Sequence, residues 1–387
     1  MNALSLFTGI GGLDLAAEMA GIKTAAFCEI ESYPISILEK RYPGIPIYND
    51  IRQLKGSDFN DRIDVIHGGF PCQDLSIAGK QAGLEGERSG LWFEMLRVIS
   101  ELRPRYVVAE NVRGAVNLAL DTVYSGLVGE GYKVYPYVIP ASAVGAPHQR
   151  ERLFVVGVRE DVHRRYTEAI ENPGCELRQG GSECGEVKGK TREGTTRDAQ
   201  FSGGTLWPTP RAKEPGRTTE GYGRGLQELV EGKEQRKLWP TPVKEDYRRR
   251  GPNSRQQGLP EIVHKLWPTP SANEDACGTP NGKMQKMLGN NPEVRKTSGQ
   301  LNPDWVEQLM GYPEGWTDLD VDEPREWAGW PALLGQGQYP FEFPHTTTDC
   351  KDRAKRLKAL GNSVVPGQAY PIFKAIAEIE KIIREAA

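Results

Sequence analysis

Over roughly the first 160 residues, short apolar runs alternate with segments whose apolar positions recur every three or four residues. Residues 3–7, 24–29, 64–67, 106–110, 133–139 and 153–158 are short and rich in aliphatic and β-branched side chains, which predicts strands. Residues 13–20, 33–41 and 91–102 carry helical periodicity between them. Strands alternating with helices predict an open α/β sheet whose ligands gather at the carboxyl ends of its strands. Near the C-terminus, from Pro371, the apolar residues Ile372, Phe373, Ile376, Ile379, Ile382 and Ile383 return at helical spacing. That face needs a sheet to pack on, so the expected core is discontinuous in sequence.

After about residue 158 the periodicity fades, and to about 300 the chain is rich in Gly, Arg, Glu, Thr and Pro. The pentapeptide LWPTP occurs there at 206–210, 238–242 and 266–270, and acidic residues follow each copy within a few positions. A low-complexity linker with Trp-Pro turns is one reading. A loop-rich domain anchored by its tryptophans is the other, and it accounts better for the regular return of Trp. The copies are too short to be a solenoid. From 301 the stretch LNPDWVEQLMGYPEGWTDL begins like a capped helix and turns at Tyr-Pro.

With 387 residues there is room for one large domain and a smaller one. No apolar run approaches the ~20 residues that span a bilayer. The N-terminus lacks the basic start and long apolar stretch of a secretory signal. The six cysteines, at 28, 72, 175, 184, 277 and 350, include no CxxC pair, which predicts reduced thiols in a cytoplasmic protein without a structural metal. A formal net charge of −3 argues against indiscriminate coating of nucleic acid, yet leaves room for a local basic cleft.

Four stretches carry candidate chemistry. FTGIGGLDLA (7–16) is a strand running through a glycine turn into a helix, where a ligand can approach the backbone and the helix N-terminus favours a negative group. Its glycines depart from the dinucleotide GxGxxG pattern. Glu29 ends the second strand and Asp50 follows in YNDI. A carboxylate at the tip of strand two suits a ribose diol, although both could be ordinary strand-end acids. DVIHGGFPCQDLS (64–76) places Cys72 on the loop after the next strand, behind Pro71. A thiol there is either a small inert apolar group or, as thiolate, a nucleophile. AENVRG puts Glu110 at another strand end, and HQRERLFVVG places Arg150 and Arg152 two apart, on one side of an extended segment. A strand-end Cys, an acid and paired arginines would together supply a nucleophile, a proton and an anion stabiliser.

FTGIGGLDLA, GGFPCQDLS, ENV, QRERLFVVG and GNSVVPGQ, in this order, resemble the motif series of the DNA (cytosine-5-)-methyltransferases of bacterial and phage type. The resemblance covers nearly all of residues 1–160 and about 300–370, and is loose between them. It implies an α/β, Rossmann-like S-adenosylmethionine-dependent methyltransferase sheet with helices on both faces. Residues 1–158 and 345–387 would form that domain. A smaller, loop-rich target-recognition domain would occupy 159–344 and hold the three LWPTP copies.

By the same resemblance, Cys72 would add to cytosine C6, Glu110 would engage N3, and Arg150 and Arg152 would hold O2 of a base flipped out of double-stranded DNA. Gln73, Ser76, Lys80, Gln81 and Arg88 would belong to a loop that closes over the base. Phe7, Gly9, Ile10 and Gly12 would line the S-adenosylmethionine turn. Glu29 would take the ribose hydroxyls, with Ile30 beside it, and Asp50 and Ile51 would meet the adenine. Gly69, Pro71, Leu91, Asn362 and Ser363 would complete that pocket. The family often writes QxRxR where this chain has His148 first. A cytoplasmic monomer of a modification system, with room for a cognate restriction endonuclease, is the expected context. A relative acting on RNA and a catalytically silent DNA-binding protein are the competing expectations. The basic run YRRR at 247–250 offers arginines of the kind that read guanine edges.

Overall fold

The computed structural model describes residues 1–71, 90–117, 119–171, 266–274, 287–296 and 298–387. Its centre is a seven-stranded sheet. In chain order the strands are β1 (Asn2–Leu6), β2 (Lys23–Cys28), β3 (Ile47–Tyr48), β4 (Val65–Gly69), β5 (Tyr106–Val112), β6 (Tyr132–Ile139) and β7 (Arg152–Arg159), in the spatial order β3-β2-β1-β4-β5-β7-β6. All neighbouring pairs are parallel except those of β7, which runs antiparallel to both β5 and β6. The α/β expectation holds.

Alternation along the strands explains why both faces are covered. Leu4, Ile66 and Val107 point to one side, Ala3, Val65 and Val108 to the other, and all are fully buried. Helices α3 (Gly90–Leu102) and α4 (Leu120–Gly129) cover the first face with Trp92, Met95, Ile99 and Leu127. Helix α1 (Gly12–Met19), α5 (Glu160–Glu171) and the C-terminal α8 (Pro366–Glu385) cover the second, with Ala16, Val162, Phe373 and Ile376. Each such large apolar side chain contributes about 1.5–3 kcal/mol on burial, so the C-terminal helix is an integral layer of the domain. The Tyr106 hydroxyl donates to Glu380 at 2.7 Å, which pins that helix to β5.

Helix α8 begins at Pro366, earlier than its apolar pattern indicates, and carries Pro371 inside. Helices α4 and α5 and α7 (Arg353–Asn362) were not expected from periodicity; in α5 only Val162 is fully buried, and its charged positions mask the pattern. Helix α6 (Pro303–Met310) is capped as its sequence suggests: the Asn302 side chain accepts from Asp304 N, Pro303 opens the first turn, and Gly311 closes it at φ 75°. A third apolar cluster joins α2 (Ser32–Arg41) to α6 through Phe27, Leu38, Trp305, Leu309 and Trp316.

The described residues of Met1–Cys175 and Lys265–Ala387 form one compact unit, and Glu176–His264 lies outside the described residues. Helix α5 and the described segments 266–274, 287–296 and 298–387 belong to that unit. The first two LWPTP copies and the 247–250 run lie outside the described residues, and the third copy lies within them. No described helix is long and apolar enough to cross a membrane.

Candidate active site

Strand register brings the candidate residues to one edge. Leu6 pairs with Cys28 and Gly68, and Gly69 pairs with Glu110, so the segments beginning at Phe7, Glu29 and Phe70 leave the sheet at the same level. The sheet order reverses direction at β1 and β4, the position where open α/β sheets leave a crevice. There a cavity of about 1030 Å³ opens, lined among others by Phe7, Gly9, Ile10, Gly12, Glu29, Ile30, Asp50, Ile51, Gly69, Pro71, Leu91, Glu110, Arg152, Asn362 and Ser363.

The glycine turn is shaped by its neighbours. Gly9 and Gly11 sit at φ 58° and 79°, a region that side-chain-bearing residues avoid. A Cβ on Gly12 would fall 2.3 Å from the Tyr312 hydroxyl, which donates to Val364 O at 2.9 Å. Trp316 Nε1 donates to Ile10 O at 2.8 Å. Residues far along the chain thus press the turn into place.

Glu29 is almost wholly buried, and its carboxylate accepts from Gly9 N at 2.7 Å and from Ile30 N and Glu31 N at 2.8 Å each. Burial raises its pKa, while these backbone donors pull the other way. The result is an acceptor held rigidly against the glycine turn. Asp50 pairs with Arg52, which lowers its pKa. Ile30 is 67% exposed at the cavity wall, an apolar platform of the kind a flat ring covers. A fixed carboxylate for hydroxyls, a backbone cradle and an apolar platform suit a nucleoside carrying a short polar chain, and so fit S-adenosylmethionine.

Glu110 forms the second half of the site. Arg152 Nε donates to its Oε1 at 2.8 Å, and the two side chains are only 11% and 14% exposed. Burial raises the Glu110 pKa, and first Arg152, then Arg150, offset part of that rise. A Cβ on Gly69 would come 2.7 Å from Glu110 Oε2, so glycine there leaves room for the carboxyl. Because β7 is antiparallel, Arg152 at its amino end stands beside Val112 at the carboxyl end of β5.

The two arginines bond to different partners. Arg150 has φ 25°, so the segment turns before β7, and its side chain is buried. Its guanidinium donates to Pro270 O and Gly361 O at 2.8 Å each and to Ser363 O. Burial, with Arg152 adding to it, brings its pKa down to about 9, so it stays charged at neutral pH. His148 is buried and neutral, its pKa pulled down to about 3 mainly by burial, with Nε2 against Leu309 O at 3.0 Å.

Cys72 and Gln73, Ser76, Lys80, Gln81 and Arg88 lie outside the described residues. Pro71, the residue before the cysteine, is exposed and lines the cavity. Sequence reasoning passed over Asn111, whose Nδ2 donates to Phe70 O at 3.0 Å and so ties the turn before Pro71 to β5. Its position inside the ENV motif was the available signal.

A family model described as C-5 cytosine-specific DNA methylase matches residues 1–378. The chain belongs to that family. Within it, the Type II methyltransferase M.Eco47II of Escherichia coli is 38% identical over 167 residues, 42% of this chain and 40% of that protein. The Type II methyltransferase M.PspPI of Psychrobacter sp. is 37% identical over 178 residues, 44% of this chain and 42% of that protein. The matched stretches span about two fifths of the length of these relatives. Among solved structures, S. pombe Dnmt2 methyltransferase shares the fold with a TM-score of 0.51 at 14% identity, covering 98% of each chain. The methylase fold is thus the frame in which the cavity and the Glu110–Arg152 pair are set.

Proposed function

We propose that this methylase transfers a methyl group to C5 of cytosine within a specific double-stranded DNA sequence, as part of a prokaryotic or phage modification system. The observation that carries the reading is the Glu110–Arg152 pair at 2.8 Å on the rim of the cavity that also holds the Glu29 turn. An acid able to hold a proton stands beside a fixed cation, at a nucleoside-shaped pocket that is also lined by Pro71, the residue before Cys72 in the sequence.

S-adenosylmethionine, when bound, supplies an electrophilic methyl group. The chain's own residues do the rest. Glu29 would hold the ribose hydroxyls, the turn through Gly9 and Gly12 would leave the backbone open to the cofactor, and Ile30, Asp50 and Ile51 would bound the adenine. Gly69, Pro71, Leu91, Asn362 and Ser363 close the wall.

Cytosine C5 is a weak nucleophile until a group adds at C6. The Cys72 thiolate makes that addition, forming an S–C6 bond and pushing an electron pair toward C5. Glu110, its pKa raised by burial, gives a proton or hydrogen bond to N3, where negative charge develops. Arg152 stabilises charge at O2, while Arg150 braces the segment from behind. The electron pair at C5 takes the methyl group as the bond from methyl to the sulfonium sulfur breaks. The C5 proton then passes to solvent water, and the C6–S bond breaks to free the thiolate. C6 of a paired base is hidden in the duplex, so the cytosine is flipped out, with Gln73, Ser76, Lys80, Gln81 and Arg88 in the loop that covers it. The region 159–344 supplies target reading, with a cognate endonuclease as the natural counterpart and the cytoplasm as the setting.

The test is incubation with labelled S-adenosylmethionine and mixed-sequence DNA, followed by sequencing for 5-methylcytosine. Methyl groups at C5 within one recurring sequence are expected; absence of methylcytosine from DNA refutes the reading. Cys72→Ser is expected to retain cofactor binding and lose both transfer and covalent trapping on 5-fluorocytosine DNA. Trapping of that variant would remove Cys72 from the nucleophile's role.

A further inference from the structure

The LWPTP repeat has no place in the chemistry above, yet its third copy lies directly behind it. Leu266 and Trp267 are buried. Trp267 packs edge-on against Trp305 and His345, with ring centroids 5.0 and 5.2 Å away, and its Nε1 donates to Ala332 O at 2.7 Å. The tryptophan therefore anchors the peptide to the core. From that anchor the backbone runs beside His148, and Trp267 N donates to Pro147 O at 2.8 Å.

The next residues grip Arg150. The Arg150 amide donates to Thr269 Oγ1 at 3.2 Å, and its Nη1 donates to Pro270 O at 2.8 Å. From the other side Gln368 Nε2 donates to Arg150 O at 2.8 Å, and Gly361 and Ser363 carbonyls accept from Nη2. A Cβ on Gly361 would lie 2.2 Å from Ser271 C, so the peptide passes flush over that glycine. Arg150 stands at φ 25°, a conformation costing about 1–3 kcal/mol that persists only where surrounding contacts over-determine it. Those contacts come from the third repeat on one side and the Gly361–Gln368 segment on the other. Two residues later Arg152 reaches Glu110.

We propose that Thr269 of the third repeat is a positioning residue for methyl transfer: by accepting the Arg150 amide it holds the turn that sets Arg152 against Glu110. The proposal rests on the methyltransferase reading above. Thr269 touches neither reacting atom and acts only through the backbone of Arg150. A displacement of about 1 Å in a catalytic group can lower a rate about a hundredfold.

The test is Thr269→Val, which keeps the shape and removes the acceptor, compared with Thr269→Ser, which keeps the hydroxyl. Single-turnover methyl transfer and DNA and cofactor affinity are measured with the full chain, alongside the melting temperature. The expected result is a tenfold or larger fall in the transfer rate for Thr269→Val, with both affinities within about threefold of wild type and the melting temperature held. Thr269→Ser restores the rate. A wild-type rate in Thr269→Val overturns the proposal. So does a loss confined to DNA affinity, which would make Thr269 a DNA contact, or a Thr269→Ser rate as low as that of Thr269→Val. A wild-type protein without methyl transfer would instead refute the function itself.

Discussion

Replacing Arg152 by Met isolates what the guanidinium does for Glu110. The side chain keeps its length and apolar stem, while the carboxyl loses its partner at 2.8 Å. At a charge separation of about 4 Å and an effective dielectric near 20, the lost attraction is on the order of 4 kcal/mol. Stranding one member of a buried pair costs about 3–5 kcal/mol. With 14% of the Glu110 side chain exposed, the lower end applies, about 3 kcal/mol when the carboxyl is ionised. The cost must depend on pH. Burial already raises the Glu110 pKa above its ordinary value, and losing Arg152 raises it further. A carboxyl whose folded pKa exceeds its unfolded one destabilises progressively as pH rises between those two values, then levels off. Urea unfolding of Arg152→Met is therefore expected to show a deficit of about 3 kcal/mol at pH 8.5 that shrinks to under about 1 kcal/mol at pH 5. Methyl transfer should fall at least a hundredfold at both pH values, since O2 stabilisation is gone. An equal unfolding deficit at the two pH values would refute the electrostatic coupling.

Glu29→Gln keeps the size of the side chain but offers one acceptor oxygen for three backbone donors, leaving at least one amide unsatisfied at a cost of about 1–3 kcal/mol. Calorimetric titration is expected to show S-adenosylmethionine bound at least tenfold more weakly; unchanged affinity would remove Glu29 from the cofactor site. Cys28 is 3% exposed, and burial, with Glu29 and Asp50 adding to it, pushes its thiol up to about 12. Iodoacetamide at pH 8 should leave Cys28 unmodified in the native protein and label it after unfolding, as read by peptide mass spectrometry. Prompt native labelling would contradict the packing of β2.

Much of this site was legible from the residues. Phe7, Glu29, Asp50, Gly69, Pro71 and Glu110 each follow or end a short apolar run, and strand ends on one edge are where such sheets bind ligands. Asn111 escaped notice because its work is a hydrogen bond to Phe70 O, across 41 positions of sequence. Helix α5 escaped for the opposite reason: it is local, but one fully buried residue, Val162, leaves little periodicity to detect.

What the sequence by itself determined is the alternation of strands and helices, the order of the motifs and the residue types that suit the chemistry. These follow from side-chain period along neighbouring positions, a local property. The tertiary structure alone decided three things. Strand β7 runs backwards, which carries Arg152 to the edge where Glu110 ends; strand direction is set by long-range pairing and leaves no trace in period. Arg150 turns to φ 25° and gives its guanidinium to the Pro270, Gly361 and Ser363 carbonyls, where an extended segment would have put both arginines side by side. The third LWPTP copy, which reads as a repeat in the chain, lies against Arg150 across 119 positions of sequence. That contact exists only because the tryptophan finds its pocket between Trp305 and His345.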